Sequence, residues 1–271
     1  VSREDVVRRT GSDVHIAGIC ETVNATIHPG KLGRGLAQIA ARLGVEIYEA
    51  SRVERMVRSR PARLRTRCAS VTAGQVVIAT NAWAAAVPEL KRQFVCVGSA
   101  IVATPPIPGR LAEIGWVGGE SITDSQTTVN YYRTTRDGRI VFGKGGGRIY
   151  YSGAPPSVSF NDARGIAEAI ADFRRVYPML ADVPIERSWS GPIDRTYDSL
   201  PLLGSLNDAP NFFYAVGWSG NGVNPSRIGN RILASLLLGK RDRWTGNGLI
   251  NRKARHFPPE PVRYLGGSLV R

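Results

Sequence analysis

The sequence has few cysteines and histidines, which limits the chemistry that it can carry. Its three cysteines, Cys20, Cys68 and Cys96, are widely spaced and form no CxxC pair. With only three histidines besides, this spacing argues against a structural zinc site, and the number of cysteines excludes a disulfide framework. We therefore expect no bound metal and no disulfide scaffold.

Several catalytic signatures are also missing. The segment GWSGNG resembles a nucleophile elbow, but Asn221 stands where G-x-S-x-G requires its last glycine, and no histidine lies near Ser219 in the sequence. The chain has no G-x-x-x-x-G-K-[ST] loop and no H-E-x-x-H motif. It also lacks a G-x-G-x-x-G that opens a βαβ unit. These absences argue against a serine hydrolase, a P-loop enzyme and a zinc protease.

Long hydrophobic runs are absent as well. No apolar stretch reaches the roughly 18 residues that a membrane-spanning helix needs. The first ten residues carry charge throughout, unlike a signal peptide. The sequence therefore predicts a cytoplasmic protein with no membrane partner.

Negative charge is scarce relative to positive charge. The formal net charge is +14, and 31 of the 36 basic residues are arginine. A basic surface is one signature of nucleic-acid binding. The densest run, Arg52 to Arg67, contains no aromatic side chains that would stack on bases. We interpret this run as a solvated β-turn surface and keep a basic nucleic-acid-binding module as the alternative function.

One glycine-rich segment stands out, AVGWSGNGVNPSRIGNRILASLLLGK. An apolar strand is followed by a glycine loop and then by a helix with Asn224 as its N-cap and Pro225 at its first position. Ile228, Ile232 and Leu236 repeat at helical spacing, and Gly239 ends the helix. Such a junction presents free N–H groups and the positive end of a helix dipole, which suit an electron-rich ligand. A tight turn without a ligand is the competing interpretation.

The first third of the chain predicts a helix and two strands. The segment HPGKLGRGLAQIAARLG predicts a helix that begins near Pro29 and ends at Gly44, followed by a strand at VEIYEA. The apolar positions on one helix face are Leu32, Leu36, Ala40 and Leu43. The apolar run 76–79 predicts a strand covered on both faces, which ends at a polar Thr80-Asn81 pair. Ligands bind at such strand ends in open α/β sheets.

The middle of the chain has a different pattern. Residues 93–104, 126–134 and 139–143 predict β segments separated by Pro and Gly turns, and residues 162–177 predict a helix that stops before Pro178. We therefore expect two interleaved regions. The chain would leave a nucleotide-binding type of layer near residue 90 and return to it near residue 190.

Five ordered blocks of sequence resemble the FAD-dependent D-amino acid oxidase superfamily, in the branch of glycine oxidase and gamma-glutamylputrescine oxidase. Together they span nearly the whole chain. The end of the chain is most similar to the subgroup of aminophosphonate oxidoreductases. The blocks are HPGKLGRGLAQIAARLGVEIYEASRV, VVIATNAWA, YYRTTRDGRIVFGKGG, WSGPIDRTYDSLPLLG and NFFYAVGWSGNGVNPSRIGNRILASLLLG.

The resemblance implies a mixed α/β fold. It would be the C-terminal portion of a glutathione-reductase-like FAD-binding fold with an inserted antiparallel β-sheet substrate region. Family members begin with a Rossmann βαβ unit that is missing here, so we expect an N-terminally truncated fragment, with an inactive remnant as a further alternative. The expected division is a substrate-binding region at 1–28 and 91–188, an FAD-binding region at 29–90 and 189–250, and a C-terminal tail at 251–271.

The resemblance also implies FAD as the cofactor. By family analogy, Val53 would meet the adenine edge through its backbone, and main-chain N–H groups of the glycine loop would stabilise negative charge on the reduced flavin. The expected cofactor-binding residues are Val53, Thr80, Asn81, Gly191, Gly217, Trp218, Ser219, Gly220, Asn221, Gly222 and Val223.

The implied reaction is oxidation of the C–N bond of a small-molecule amine, with hydride transfer to flavin N5 and dioxygen as electron acceptor. In the α-amino acid oxidases of this family, an arginine after the W-x-G strand binds the substrate carboxylate. Here Ile193 stands at that position and Asp194 follows, which favours a cationic amine bearing a distant anionic group. An aminophosphonate or a gamma-glutamylputrescine-like amine has this form. The expected substrate-binding residues are Tyr131, Tyr132, Arg133, Asp194 and Arg195.

Overall fold

The computed structural model describes residues 1–151, 155 and 160–269. The helices are α1 (Arg3–Thr10), α2 (Pro29–Arg42), α3 (Pro108–Glu113), α4 (Ala163–Val176), α5 (Pro225–Leu237) and α6 (Val262–Leu269). The strands are β1 (Arg55–Val57), β2 (Ala62–Arg65), β3 (Ser70–Ala73), β4 (Val76–Ile78), β5 (Phe94–Ala103), β6 (Ser121–Thr123), β7 (Asn130–Thr134), β8 (Ile140–Lys144), β9 (Arg187–Thr196), β10 (Leu202–Leu206) and β11 (Ala209–Val216). Short 3-10 helices cover Asn81–Ala86 and Pro178–Leu180.

The chain divides into two compact units. Unit 1 comprises residues 1–24, 95–194 and 257–269, and unit 2 comprises residues 25–94 and 195–256. The described part of the expected C-terminal tail thus falls mostly within unit 1, whereas the last two residues of that tail lie outside the described residues. The roles assigned to the two regions, substrate binding and FAD binding, stay predictions.

Unit 1 is built on a five-stranded sheet in the order β6-β7-β8-β5-β9. The pairs β6–β7, β7–β8 and β8–β5 are antiparallel. Helix α4 packs on β8, and its N-terminus is capped by Asp162, whose carboxylate accepts the N–H of Gly165 at 3.3 Å. The core between helix and sheet is aromatic, and the stacked rings of Trp116 and Tyr177 have centroids 5.3 Å apart.

Unit 2 is centred on a three-stranded sheet in the order β10-β11-β4. Strand β11 is antiparallel to β10 and parallel to β4. Alternate residues of β11 face two different apolar clusters: Phe212 and Tyr214 face one, and Phe213 and Ala215 face the other together with Ile232 of α5. Because both faces of the strand are covered there, β11 is apolar from Phe212 to Val216, as a central strand requires.

A second sheet of unit 2, in the order β1-β2-β3, contains part of the arginine-rich run. Met56 and Leu64 pack against the core of unit 2. Strand alternation then turns Arg55, Arg63 and Arg65 outward, where all three are exposed. Arg55 and Arg65 are direct cross-strand partners. The run is a largely solvated surface, as predicted, but seven of its sixteen residues, in β1 and β2, form strands.

The predicted strand at VEIYEA is wrong. Residues 45–48 belong to no strand, and Val45, Ile47 and Tyr48 are exposed. A strand needs a hydrogen-bonding neighbour, and none of the described strands pairs with this segment. Val77 of β4 is likewise 41% exposed, so the expectation that this strand is covered on both faces is also wrong for the described residues.

Helix α2 confirms the predicted helix, and its apolar face is uncovered. No residue of α2 is buried, and Leu32, Leu36 and Ile39 are 42%, 58% and 53% exposed. The helix is capped at its N-terminus by the His28 side chain, which accepts the N–H of Lys31 at 3.3 Å. Sequence periodicity therefore identified the helix correctly, whereas it did not indicate what its apolar face would contact.

Helix α5 starts at Pro225 and is followed by Gly239 at φ 62°, as predicted. Two details differ. Asn224 has helical dihedral angles and its side chain makes no capping hydrogen bond, so the N-cap prediction is wrong. Ile228 is 51% exposed, because the buried face of α5 instead runs through Gly229, Ile232 and Leu233.

Within the described part of the chain, none of the helices combines the length and the apolar character that crossing a membrane requires.

Candidate functional site

The predicted cofactor segments of unit 2 meet at one edge of its central sheet. Strands β4 and β11 are parallel, and Ile78 is the register partner of Tyr214. Two residues further along each strand, Thr80 and Val216 therefore reach the same carboxyl edge. Asn81 and the bend 217–224 follow directly. This edge is where ligands bind in open α/β sheets.

The bend between β11 and α5 leaves several main-chain donors without a protein acceptor. Among the residues that the structure describes, Asn221 is the only member of the stretch 219–224 whose N–H donates a hydrogen bond, to Trp218 O at 2.9 Å. The N–H groups that donate to no other described residue are those of Ser219, Gly220, Gly222, Val223 and Asn224. Such donors, next to the N-terminus of α5, form a site for an electron-rich group.

The chemistry of this donor set fits the carbonyl oxygens of a flavin ring. Of these donor residues, Gly220, Val223 and Asn224 are exposed, whereas Gly222 is half-buried and Ser219 is buried. The glycines place no β-carbon between main chain and ligand. The positive dipole end of α5 adds a preference for negative charge. On these grounds the residues present are compatible with FAD.

Two side chains of the bend turn into unit 2. The indole of Trp218 packs in the apolar cluster beneath α5, where a β-carbon at Gly229 would come within 2.5 Å of its Cη2. The Ser219 hydroxyl is also buried and lies 3.1 Å from the hydroxyl of Thr196. The Trp218 indole therefore packs within unit 2 and supports the bend. Because the Ser219 hydroxyl is buried, Ser219 can contact a ligand only through its main chain.

The other predicted cofactor residues of unit 2 lie outside the core. Asn81 has φ 48°, and its side-chain oxygen accepts the N–H of Ala82, which starts the short 3-10 helix. Thr80 is exposed at the end of β4. Val53 is 44% exposed and precedes β1. The structure thus brings Thr80 and Asn81 to the sheet edge of the bend.

In unit 1, strand β7 separates the three adjacent candidates for substrate binding. Tyr131 and Arg133 share one face of the strand, because alternate residues point the same way. Tyr131 lies over Gly143, and its hydroxyl is 2.7 Å from that of Ser99. Arg133 is half-buried and makes no ion pair with any residue in the described ranges.

Tyr132 points to the other face of β7 and lies in the aromatic core of unit 1. It is 2% exposed and stacks on Phe142 with ring centroids 4.8 Å apart. Its hydroxyl forms a hydrogen bond with Nε2 of His15. Burial is the main reason that the pKa of Tyr132 is raised above the usual tyrosine value. This position leaves its ring surrounded by protein.

The remaining candidates lie on β9. Gly191 is half-buried, and Asp194 is 1% exposed. Asp194 lies near Cys96: burial first, and then the charge of Asp194, raise the pKa of the Cys96 thiol to about 12. Arg195, the first residue of unit 2 on this strand, is exposed. The burial of Asp194 disfavours direct contact with a substrate amine.

Sequence reasoning missed two residues that shape this region. Thr196 and Gly229 contact the bend 217–222 through Ser219 and Trp218. Neither stands in a recognisable motif, and each is distant in sequence from its partner. Within the part of the chain that the structure describes, no cluster of His, Cys, Asp or Glu side chains suits a metal ion.

Comparison with known proteins supplies independent evidence. A family model described as FAD dependent oxidoreductase matches residues 1–236. The probable oxidoreductase OrdL of Haemophilus influenzae is 30% identical over 243 residues, which cover 86% of this chain and 52% of that protein. The gamma-glutamylputrescine oxidoreductase of Escherichia coli is 28% identical over 239 residues, 88% of this chain and 54% of that protein. The chain thus spans about half the length of these curated relatives.

A solved structure shows the same fold. Glycine oxidase from Geobacillus kaustophilus superposes with a TM-score of 0.73 at 20% sequence identity, covering 95% of this chain and 67% of that chain. The resemblance read from the sequence and the mixed α/β fold with antiparallel sheets are both confirmed. The match favours an oxidoreductase over the nucleic-acid-binding alternative.

Proposed function

Because this chain belongs to the FAD-dependent oxidoreductase family, we propose that it forms the flavin-binding and substrate-binding parts of an enzyme that oxidises the C–N bond of an amine. The observation that carries the proposal is the set of main-chain N–H groups in the bend 219–224 that donate to no other described residue, near Thr80 at the carboxyl edge of β4 and β11. Such preorganised donors stabilise negative charge that develops on a bound ring.

The cofactor part of the proposal assigns the bend to the flavin ring. The main-chain N–H groups of Ser219, Gly220, Gly222 and Val223 hold the pyrimidine side of the ring, and Gly217 gives the chain its turn out of β11. Thr80 and Asn81 border the cofactor from the neighbouring strand, Val53 meets the adenine end through its backbone, and Gly191 of β9 is a further cofactor contact. When bound, FAD supplies the two-electron oxidant that accepts the hydride of the amine-bearing carbon and passes the electrons to dioxygen.

The substrate class is inferred from the positive charge of Arg133. Arg133 has no carboxylate partner among the described residues and shares its face of β7 with Tyr131. A guanidinium of this kind binds a carboxylate or phosphonate through paired hydrogen bonds. Arg195, an exposed arginine of unit 2, stays a predicted substrate-binding residue. We therefore assign an amine with a distant anionic group as the substrate class, such as an aminophosphonate or a gamma-glutamylated diamine.

The cofactor assignment is tested by the colour of the natural full-length protein. We expect a yellow protein whose bound flavin has a visible absorbance band and is released as FAD on denaturation. Gly220→Val should weaken FAD binding, because a branched side chain at φ 87° both strains the bend and blocks the donors. Gly248→Val is the control, since a β-carbon there meets nothing within 4 Å. A folded, colourless protein that does not bind added FAD would refute the assignment.

The substrate assignment is tested by kinetics with anionic and neutral amines. Arg133→Gln should raise KM for an anionic amine about 10- to 100-fold, which corresponds to the loss of a charge-assisted hydrogen bond, and should leave kcat nearly unchanged. Arg136→Gln, an exposed arginine in the β7–β8 turn, is the matched control. Equal KM values for both variants would remove Arg133 from the substrate site.

A further inference from the structure

The bend that follows β11 has an unusual backbone conformation. Gly217 and Gly220 have φ of 74° and 87°, and Ser219 between them has φ 55°. Glycine adopts such angles freely, whereas a residue with a β-carbon pays about 1–2 kcal/mol for them. A strained residue of this kind persists only where its surroundings hold it in place. Ser219 therefore needs a local partner.

Thr196, the last residue of β9, is that partner. Its N–H donates to Oγ of Ser219 at 3.1 Å, and its own hydroxyl lies 3.1 Å from the same oxygen. The Thr196 hydroxyl also lies 2.9 Å from the carbonyl oxygen of Leu200 and donates to it. The Ser219 hydroxyl also lies 3.3 Å from the carbonyl oxygen of Gly217 and donates to it. These contacts connect Ser219 both to Thr196 and to the start of its own bend.

The methyl group of Thr196 adds a steric contact at the start of the bend. A β-carbon at Gly217 would come within 2.6 Å of Cγ2 of Thr196, so only glycine fits there. Thr196 is 2% exposed and Ser219 is 8% exposed, which makes the pair inaccessible to water that would compete for its hydrogen bonds. One threonine thus contacts the bend at residues 217 and 219.

We propose that Thr196 is a positioning residue that holds the bend 217–223, through Ser219, in the conformation that presents its N–H groups to the cofactor. This inference rests on the proposed flavin site of the same bend. Neither hydroxyl touches the ligand. Their effect is to keep the donors in place before the cofactor arrives, so that less conformational freedom is lost on binding.

The test is a comparison of FAD affinity among variants of the natural full-length protein. Thr196→Val keeps the branched shape and removes the hydroxyl, and Ser219→Ala removes the other hydroxyl. Each should raise the FAD dissociation constant about three- to tenfold, the effect of one neutral hydrogen bond. Thr196→Ser, which restores the hydroxyl, should recover most of the affinity. Thr72→Val, at an exposed position of β3, is the control.

A second substitution separates positioning from general stability. Ser219→Gly removes the hydroxyl and also the strain, so it should keep the protein folded while hydrogen exchange of the amides of residues 220–223 becomes faster in the FAD-free protein. If the parent protein binds FAD and Thr196→Val, Ser219→Ala and Thr72→Val all bind it equally, the positioning role is refuted and the flavin site stands. If the parent protein binds no FAD, the proposed flavin site and the positioning role of Thr196 are both refuted.

Discussion

Gly229 of α5 lies against the edge of the six-membered ring of the Trp218 indole. A β-carbon at position 229 would come within 2.5 Å of Cη2 and 3.3 Å of Cζ2 of that ring. In an ordinary helix interior, alanine is more favourable than glycine by roughly 0.5–1 kcal/mol. Here the helix keeps glycine because the bulk of Trp218 occupies the space that a side chain would need.

We expect Gly229→Ala to destabilise the protein by about 1–3 kcal/mol, as overpacking of a core does. The same substitution at Gly35 of α2, where a β-carbon meets nothing within 4 Å, should be neutral or slightly stabilising. Urea unfolding of the two variants measures the difference. Equal effects of the two substitutions would mean that Trp218 does not pack on Gly229.

The half-buried imidazole of His15 predicts a loss of stability in mild acid. Burial is the main cause that lowers the pKa of His15; the charge of Arg175 acts in the same direction and that of Asp124 opposes both. The unfolded chain therefore takes up this proton at a higher pH than the folded one, so stability falls as the pH drops below about 6.5. The loss is complete below the folded pKa.

His15→Gln should abolish that component of the pH dependence. The measurement is the free energy of unfolding at several pH values between 5 and 8. His256→Gln, at an exposed position, is the control. If the free energy of unfolding of His15→Gln still falls with pH as it does in the parent protein, another group is responsible.

The ion pair of Lys144 and Asp172 ties β8 to α4. Their side chains are 14% and 19% exposed. Burial alone would raise the pKa of Asp172, but the hydrogen bond and charge of Lys144, with the charge of Arg175, hold it below its usual value. A carboxyl with a lowered pKa contributes stability above the unfolded pKa of about 4 and loses it as the pH falls further.

We expect Asp172→Asn to cost roughly 1–3 kcal/mol near neutral pH, between the values for exposed and fully buried pairs. Glu168→Gln, in a more exposed pair with Arg164 on the same helix, should cost less than about 0.5 kcal/mol. Thermal unfolding of both variants at pH 7 and pH 3 provides the check. If Asp172→Asn destabilised the protein more at pH 3 than at pH 7, the ion pair would not be the source of the stabilisation.

Local sequence patterns predicted the elements that depend on local physics. Helix α4 was expected at 162–177 and lies at Ala163–Val176, because Asp162 caps one end and Pro178 prevents continuation at the other. The strand, glycine bend and helix around residues 211–237 were also found in order. Capping, proline and periodicity act within a few residues, which is why they can be read from a single sequence.

Local sequence patterns gave wrong or incomplete predictions where the structure of a segment depends on a residue distant in the sequence. The segment VEIYEA has the composition of a strand, yet no described strand offers it an edge. Tyr132 has the same aromatic character as Tyr131, but strand alternation turns it into the core of unit 1. The contact of Thr196 with Ser219 spans 23 positions and belongs to no motif. Such features follow from tertiary packing and require coordinates.

The uncovered face of α2 has a thermodynamic consequence. An isolated helix of 14 residues is only marginally stable in water, because the free-energy cost of helix nucleation is barely offset by its few hydrogen bonds. Without buried leucines to add stability, α2 has little beyond its His28 cap to resist fraying. Its opening should therefore require far less free energy than global unfolding, and proteases should cut the chain first between Pro29 and Arg42 while the three sheets remain intact.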